Sequence, residues 1–162
     1  MTQPPAAPSD SRAPLAISDL IGCWKLVQAL WERDGIVQTN PNMGDHPTGY
    51  LHYLQEGRVA VTIALPGRKL MSGTHRRTAP REELAESALT FDAYAGTFSL
   101  PGADQVVHHI ELSSYQNDVG KSLVRRAVLV GNLLSLYPVE FQDDGIRWLV
   151  WQRVTLPPFQ CC

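Results

Sequence analysis

Hydrophobic and polar residues alternate in short runs along most of this chain, and turn-forming residues separate the runs. The first run, residues 23–33, stops at Asp34-Gly35, a dipeptide suited to a tight hairpin turn. Residues 40–49 are crowded with proline and glycine and predict a loop. Strand patterns follow over 49–54 and 58–65, joined by the turn Gln55-Glu56-Gly57. The period then changes. Thr78-Ala79-Pro80-Arg81-Glu82-Glu83 carries the proline and acidic residues of a helix start, and Leu84, Ala88 and Phe91 recur at helical spacing. One helix is predicted over 80–94, ending before Gly96. Alternation resumes over 95–100, 106–113, 122–130, 133–138 and 146–155.

Eight short strands with mostly short links must hide their sheet edges, and closure does so at this length. The expected fold is mainly β: an eight-stranded antiparallel up-and-down barrel with one short helix between strands three and four. Alternation also assigns an inner face, although a slip of one residue would invert any strand. Trp24, Leu26, Gln28, Leu30 and Glu32 share a face of the first strand, and Val106, His108, Ile110 and Leu112 share a face of the fifth. Leu134 and Leu136 point inward from the seventh. In the sixth, Arg125, Ala127 and Leu129 compete with the equally apolar Val124, Val128 and Val130.

His108 and Arg125 then fall on neighbouring strands and project inward near Tyr53. A desolvated histidine beside an arginine stays neutral and can serve as acceptor or base, and the guanidinium can hold a carbonyl, carboxylate or enolate oxygen. These two are the catalytic candidates. A purely structural reading competes: His108 hydrogen-bonded in the core and Arg125 paired with a carboxylate such as Glu32. Tyr53, Gln28, Glu32, Phe91, Tyr94 and Trp151 are the ligand-binding candidates. A mouth near Met71, Phe91 and Tyr94 is the fallback site.

Composition narrows the classes. The 162 residues suit one domain, with a flexible arm over 1–20, the barrel over 21–156 and a tail over 157–162. A net charge of −2 with mixed signs offers no pull toward nucleic acid or an anionic membrane. No stretch approaches the roughly 20 apolar residues of a spanning helix, and the Pro-, Ala- and Ser-rich start lacks the apolar run of a signal peptide. A cytoplasmic location is the expectation. Cys23 reads as a small core residue. Cys161 and Cys162 are adjacent and unsuited to bridge each other, although oxidation between copies leaves a homodimer open. His108 and His109 point to opposite faces of a strand, and His46, His52 and His75 have no ligand spacing, so no metal is expected. Gly120-Lys121-Ser122 lacks the earlier glycine of a phosphate loop, and neither a Gly-x-Ser-x-Gly elbow nor a dinucleotide turn occurs. No cofactor is expected. The basic residues Arg68, Lys69, His75, Arg76 and Arg77 read as a solvated loop.

Gly22-Cys23-Trp24 matches the Gly-x-Trp signature of lipocalins. With 49–53, 91–96 and 106–111, then Gly120, Val124-Arg125-Arg126 and 149–154, the chain resembles the bacterial and fungal lipocalin-like domain proteins over about 21–154. The resemblance implies a calycin-type barrel around a small, largely hydrophobic, oxygenated molecule of polyketide, terpenoid or fatty-acid type. Barrels of this shape include both enzymes and carriers; the expected function is that of a cofactor-free cyclase or isomerase of natural-product biosynthesis, with a non-catalytic carrier as the alternative. Unlike secreted lipocalins, this chain has neither signal peptide nor disulfide pattern. Trp24 and Arg153 should meet where the last strand closes on the first, as scaffold.

Overall fold

The computed structural model describes residues 14–139 and 144–155. Nine strands form one antiparallel sheet: β1 (Gly22–Arg33), β2 (Ile36–Thr39), β3 (Thr48–Tyr53), β4 (Arg58–Ala64), β5 (Phe91–Gly102), β6 (Gln105–Ser113), β7 (Ser122–Val130), β8 (Leu133–Pro138) and β9 (Ile146–Arg153). β9 pairs back onto β1 from Trp24↔Arg153 to Glu32↔Ile146, which closes eight strands into a barrel. β2 is the extra one. Asp34 and Gly35 both take left-handed backbone angles, φ 52° and 76°, and fold Ile36–Thr39 back along the end of β1. All four β2 residues are exposed, so burial left no alternation by which to foresee a strand there.

That extra strand moves the helix in the order of elements. The helix α2 (Arg81–Leu89) follows β4 and precedes β5, rather than lying between the third and fourth strands. It is also shorter than the expected 80–94. Ala64↔Phe91 opens the β4–β5 ladder, so the sheet edge takes the chain from Phe91 onward. The predicted helical face of Leu84, Ala88 and Phe91 does not form; no α2 residue is buried and Leu89 is 82% exposed.

The first strand holds a second correction. β1 slips register against β9 between Leu26 and Gln28, a β-bulge that puts two consecutive residues, Val27 and Gln28, on the exposed side. Before the bulge Trp24 and Leu26 face the core; after it Ala29 does, and Gln28 does not. Glu32 lies beside Tyr137 on the outer surface, half-buried. Elsewhere the inward assignments agree with burial at Val106, His108, Ile110, Leu134 and Leu136, whereas Leu112 is 68% exposed because a further bulge shifts β6 against β5 at Gly96. A Cβ at Gly96 would sit 1.8 Å from the His109 carbonyl oxygen, so this close approach requires glycine.

The two barrel ends differ. Below the first turn of β1, residues Ile17–Leu20 form the short helix α1, and Leu20 is fully buried. The expected arm over 1–20 therefore includes a segment that plugs the barrel, because an apolar leucine at its end has a core to enter. Trp24 Nε1–H donates to the Leu20 carbonyl at 2.8 Å, and the Arg153 guanidinium lies 4.1 Å from the Trp24 ring. The other end is rimmed by Asn40 and Met43 of the β2–β3 loop, Asp92 at the start of β5, Asp118 of the 3-10 turn Gln116–Asp118, and Pro138 and Arg147 at the ends of β8 and β9. Cys161, Cys162 and most of the arm lie outside the described residues. Among the described residues no helix is long and apolar enough to cross a membrane.

Candidate functional site

A cavity of about 350 Å³ occupies the barrel on the side away from α1, within the range of small-molecule sites. Its walls are largely apolar: Val61 and Ile63 of β4, Leu136 of β8, Leu149 and Trp151 of β9. Asn40 and Met43 from the β2–β3 loop reach its rim. One wall is polar. Tyr94 of β5, His108 of β6 and Arg125 of β7 line it together.

Strand register brings this wall about. Val106↔Arg125 and His108↔Leu123 are opposed across β6 and β7, so His108 and Arg125 are diagonal neighbours on the inner face. This selects Arg125, Ala127 and Leu129 as the inward set of β7. Phe98 stands opposite His108 on β5, and Tyr94, four residues along the same strand, reaches back toward it. Tyr53 comes from the far side, at the end of β3, and packs edge-on against Phe98 with centroids 4.8 Å apart.

His108 is held from both sides. Tyr53 Oη lies 2.7 Å from its Nε2 and Tyr94 Oη 2.8 Å from its Nδ1. Burial, then the nearby Arg125 charge and His109, push its pKa down to about 3, so the ring is neutral. A neutral imidazole has one donor and one acceptor nitrogen. Tyr53 is fully buried and its hydroxyl meets only His108 among the described residues, so its proton goes to Nε2. Nδ1 therefore carries the hydrogen and donates it to Tyr94 Oη. Tyr94 in turn keeps its own hydroxyl proton to offer to the cavity that it lines. Burial raises the pKa of both tyrosines, so both stay protonated.

Arg125 gives one N–H to the carbonyl of Val124 at 3.0 Å. It forms no ion pair among the described residues, and the anticipated partner Glu32 lies on the outer surface. The carboxylates on the cavity rim are engaged elsewhere: Asp92 accepts from Ser114, and Asp118 pairs with Lys121 at 2.9 Å. Arg147, also on the rim, pairs with Asp144. Trp151, in the same wall, has its Nε1 buried without an acceptor among the described residues.

The structure thus gathers His108, Arg125, Tyr53, Tyr94 and Trp151 around one interior. It leaves out Gln28 and Glu32, on the outer side of β1, and Phe91, which is 38% exposed beneath the Arg68 guanidinium. Sequence reasoning did not single out Asn40, Met43 or Leu149. Leu149 is two residues from Trp151 and could have been found by alternation; the two loop residues carried no periodic signal. Among the described residues no three metal-binding side chains are grouped.

The model of a family described as the lipocalin-like domain matches residues 21–154, the span of the barrel itself. The chain is also 32% identical over 99 residues to the 4'-hydroxy-3'-methoxypropiophenone carrier protein of Aspergillus oryzae, covering 54% of this chain and 84% of that relative. Barrel, cavity and sequence agree on small-molecule binding, and this chain belongs to the lipocalin-like domain family.

Proposed function

We propose that this protein is a carrier that encloses one small, largely apolar, oxygenated molecule in the barrel and releases it unchanged. The observation that carries this reading is the polar wall: both ring nitrogens of His108 are occupied by tyrosine hydroxyls, so the imidazole offers the ligand no free base. A proton-abstracting enzyme needs one within reach of its substrate. The relative named as a carrier of an aryl ketone supports the same reading and suggests an aromatic polyketide-like ligand. A cofactor-free isomerase is the second reading, favoured by Tyr94 and Arg125 side by side, which could polarise a carbonyl.

Titration with 4'-hydroxy-3'-methoxypropiophenone, followed by quenching of the fluorescence of Trp151 in the cavity wall, tests both. The carrier reading predicts saturable one-to-one binding and full recovery of the ketone after prolonged incubation. Catalytic conversion of it, or of related ketones, favours the isomerase. Absence of binding up to millimolar concentration removes this ligand class.

A further inference from the structure

The polar wall is unbalanced. Every group it turns toward the cavity is a donor: the hydroxyl proton of Tyr94, fixed by the Tyr53–His108–Tyr94 chain, and the guanidinium of Arg125. The acceptor nitrogen of His108 is taken by Tyr53. Of the rim carboxylates, Asp118 is ion-paired with Lys121, whereas Asp92 accepts from the Ser114 hydroxyl and keeps its charge; the rim cation Arg147 is paired with Asp144. Arg125 brings a positive charge to the polar wall and forms no ion pair with a carboxylate among the described residues. Arg125 is partly buried, and its guanidinium faces the cavity without an ion-pair partner among the described residues, which suits an anionic group on the ligand.

Resting on the carrier reading, we propose that the ligand is bound as an oxyanion conjugated with a carbonyl, its negative oxygen on Arg125 and Tyr94. A para-acyl phenolate or the enolate of a β-diketone has this chemistry. Its charge is spread over two oxygens and the carbon frame between them, so it loses less hydration on entering an apolar cavity than a localised carboxylate does. One guanidinium and one hydroxyl suffice to hold it. The para carbonyl also makes such a phenol more acidic than tyrosine, so ionisation on binding near neutral pH demands little of the site. Tyr94 contributes as a donor, because its oxygen already accepts from His108 Nδ1–H and its own hydroxyl proton is left for the ligand. The two outer members of the chain, Tyr53 and His108, are positioning residues.

The phenolate of an aryl ketone absorbs at longer wavelength than the phenol, which gives a direct readout. The probe is 4'-hydroxy-3'-methoxypropiophenone about one pH unit below its free pKa, compared with the same ketone capped as its methyl ether. The expected results are a phenolate band on binding to the wild type and weaker binding of the ether by about ten- to a hundredfold. In Arg125→Gln the band should vanish and phenol affinity should fall to that of the ether, with the thermal midpoint confirming a folded barrel. Arg125→Lys should keep part of the band. A bound phenol with a neutral spectrum, or an ether that binds as tightly, overturns the oxyanion while leaving the carrier intact. If neither compound binds, the ligand class fails and the oxyanion fails with it.

Discussion

Each end of the barrel sets an arginine against an aromatic side chain, and the two pairs could hardly be used more differently. At the plugged end the Arg153 guanidinium lies over Trp24, donates to the carbonyls of Ile21 and Asp19, and the indole N–H is satisfied by Leu20. At the cavity end Arg125 has one backbone acceptor, and Tyr94 ends its hydrogen-bond chain with a proton to spare. Residue type does not separate scaffold from site. Whether the polar groups are already satisfied does, because a satisfied group gains nothing from a ligand and an unsatisfied one does.

The strongest way to break this comparison is to remove the scaffold aromatic. Trp24 is fully buried, so Trp24→Ala should cost about 3–5 kcal/mol of stability, read from urea denaturation. The fraction that remains folded should bind ligand with wild-type affinity. A Trp24→Ala protein that is stable but unable to bind would place function at the plugged end.

Acid sharpens the same contrast at the cavity end. His108 titrates near its ordinary value of 6.5 when unfolded but only at about 3 when folded. Between those values the unfolded chain binds a proton that the folded one does not, so stability rises with pH across that window and is lost as pH falls through it. At about 1.4 kcal/mol per unit of pKa difference, the loss is on the order of a few kcal/mol. Thermal midpoints measured from pH 7 to 4 should fall for the wild type and fall less steeply for His108→Gln. Equal slopes would mean that His108 is not held neutral between its tyrosines.

Much of the barrel was legible because its strands bury one face, and burial writes a period of two into the sequence. Alternation placed His108 inward and left Arg125 as one of two inward sets, whereas Tyr94 was expected at the end of a helix and proves to stand on β5. What failed were places where a local feature overrides the period. β2 has no buried residue and so no pattern. Phe91 completes a helical spacing yet is captured by the edge of β4, since pairing from Ala64 onward outweighs an exposed turn of helix. The β1 bulge inserts a residue that hydropathy does not show, and past it Gln28 and Glu32 change sides. The tautomer of His108 was beyond sequence altogether, because it depends on a hydroxyl arriving from β3.

Gln28 supplies the smallest and most local test. If β1 ran without its bulge, Gln28 would continue the inner face of Trp24 and Leu26 and would meet the ligand, and Gln28→Ala would weaken binding by about tenfold through a lost hydrogen bond. With the bulge it stands in solvent opposite Val150, one position ahead of the buried Ala29. An exposed glutamine outside the core has little to lose, so Gln28→Ala should change stability and ligand binding by no more than about 0.5 kcal/mol each. Ala29→Gln is the converse variant: it forces an amide into the inward position that the bulge created, and should destabilise the barrel by about 1–3 kcal/mol through overpacking. A silent Gln28→Ala beside a disruptive Ala29→Gln fixes the register of β1. The opposite outcome would return Gln28 to the interior and remove the bulge.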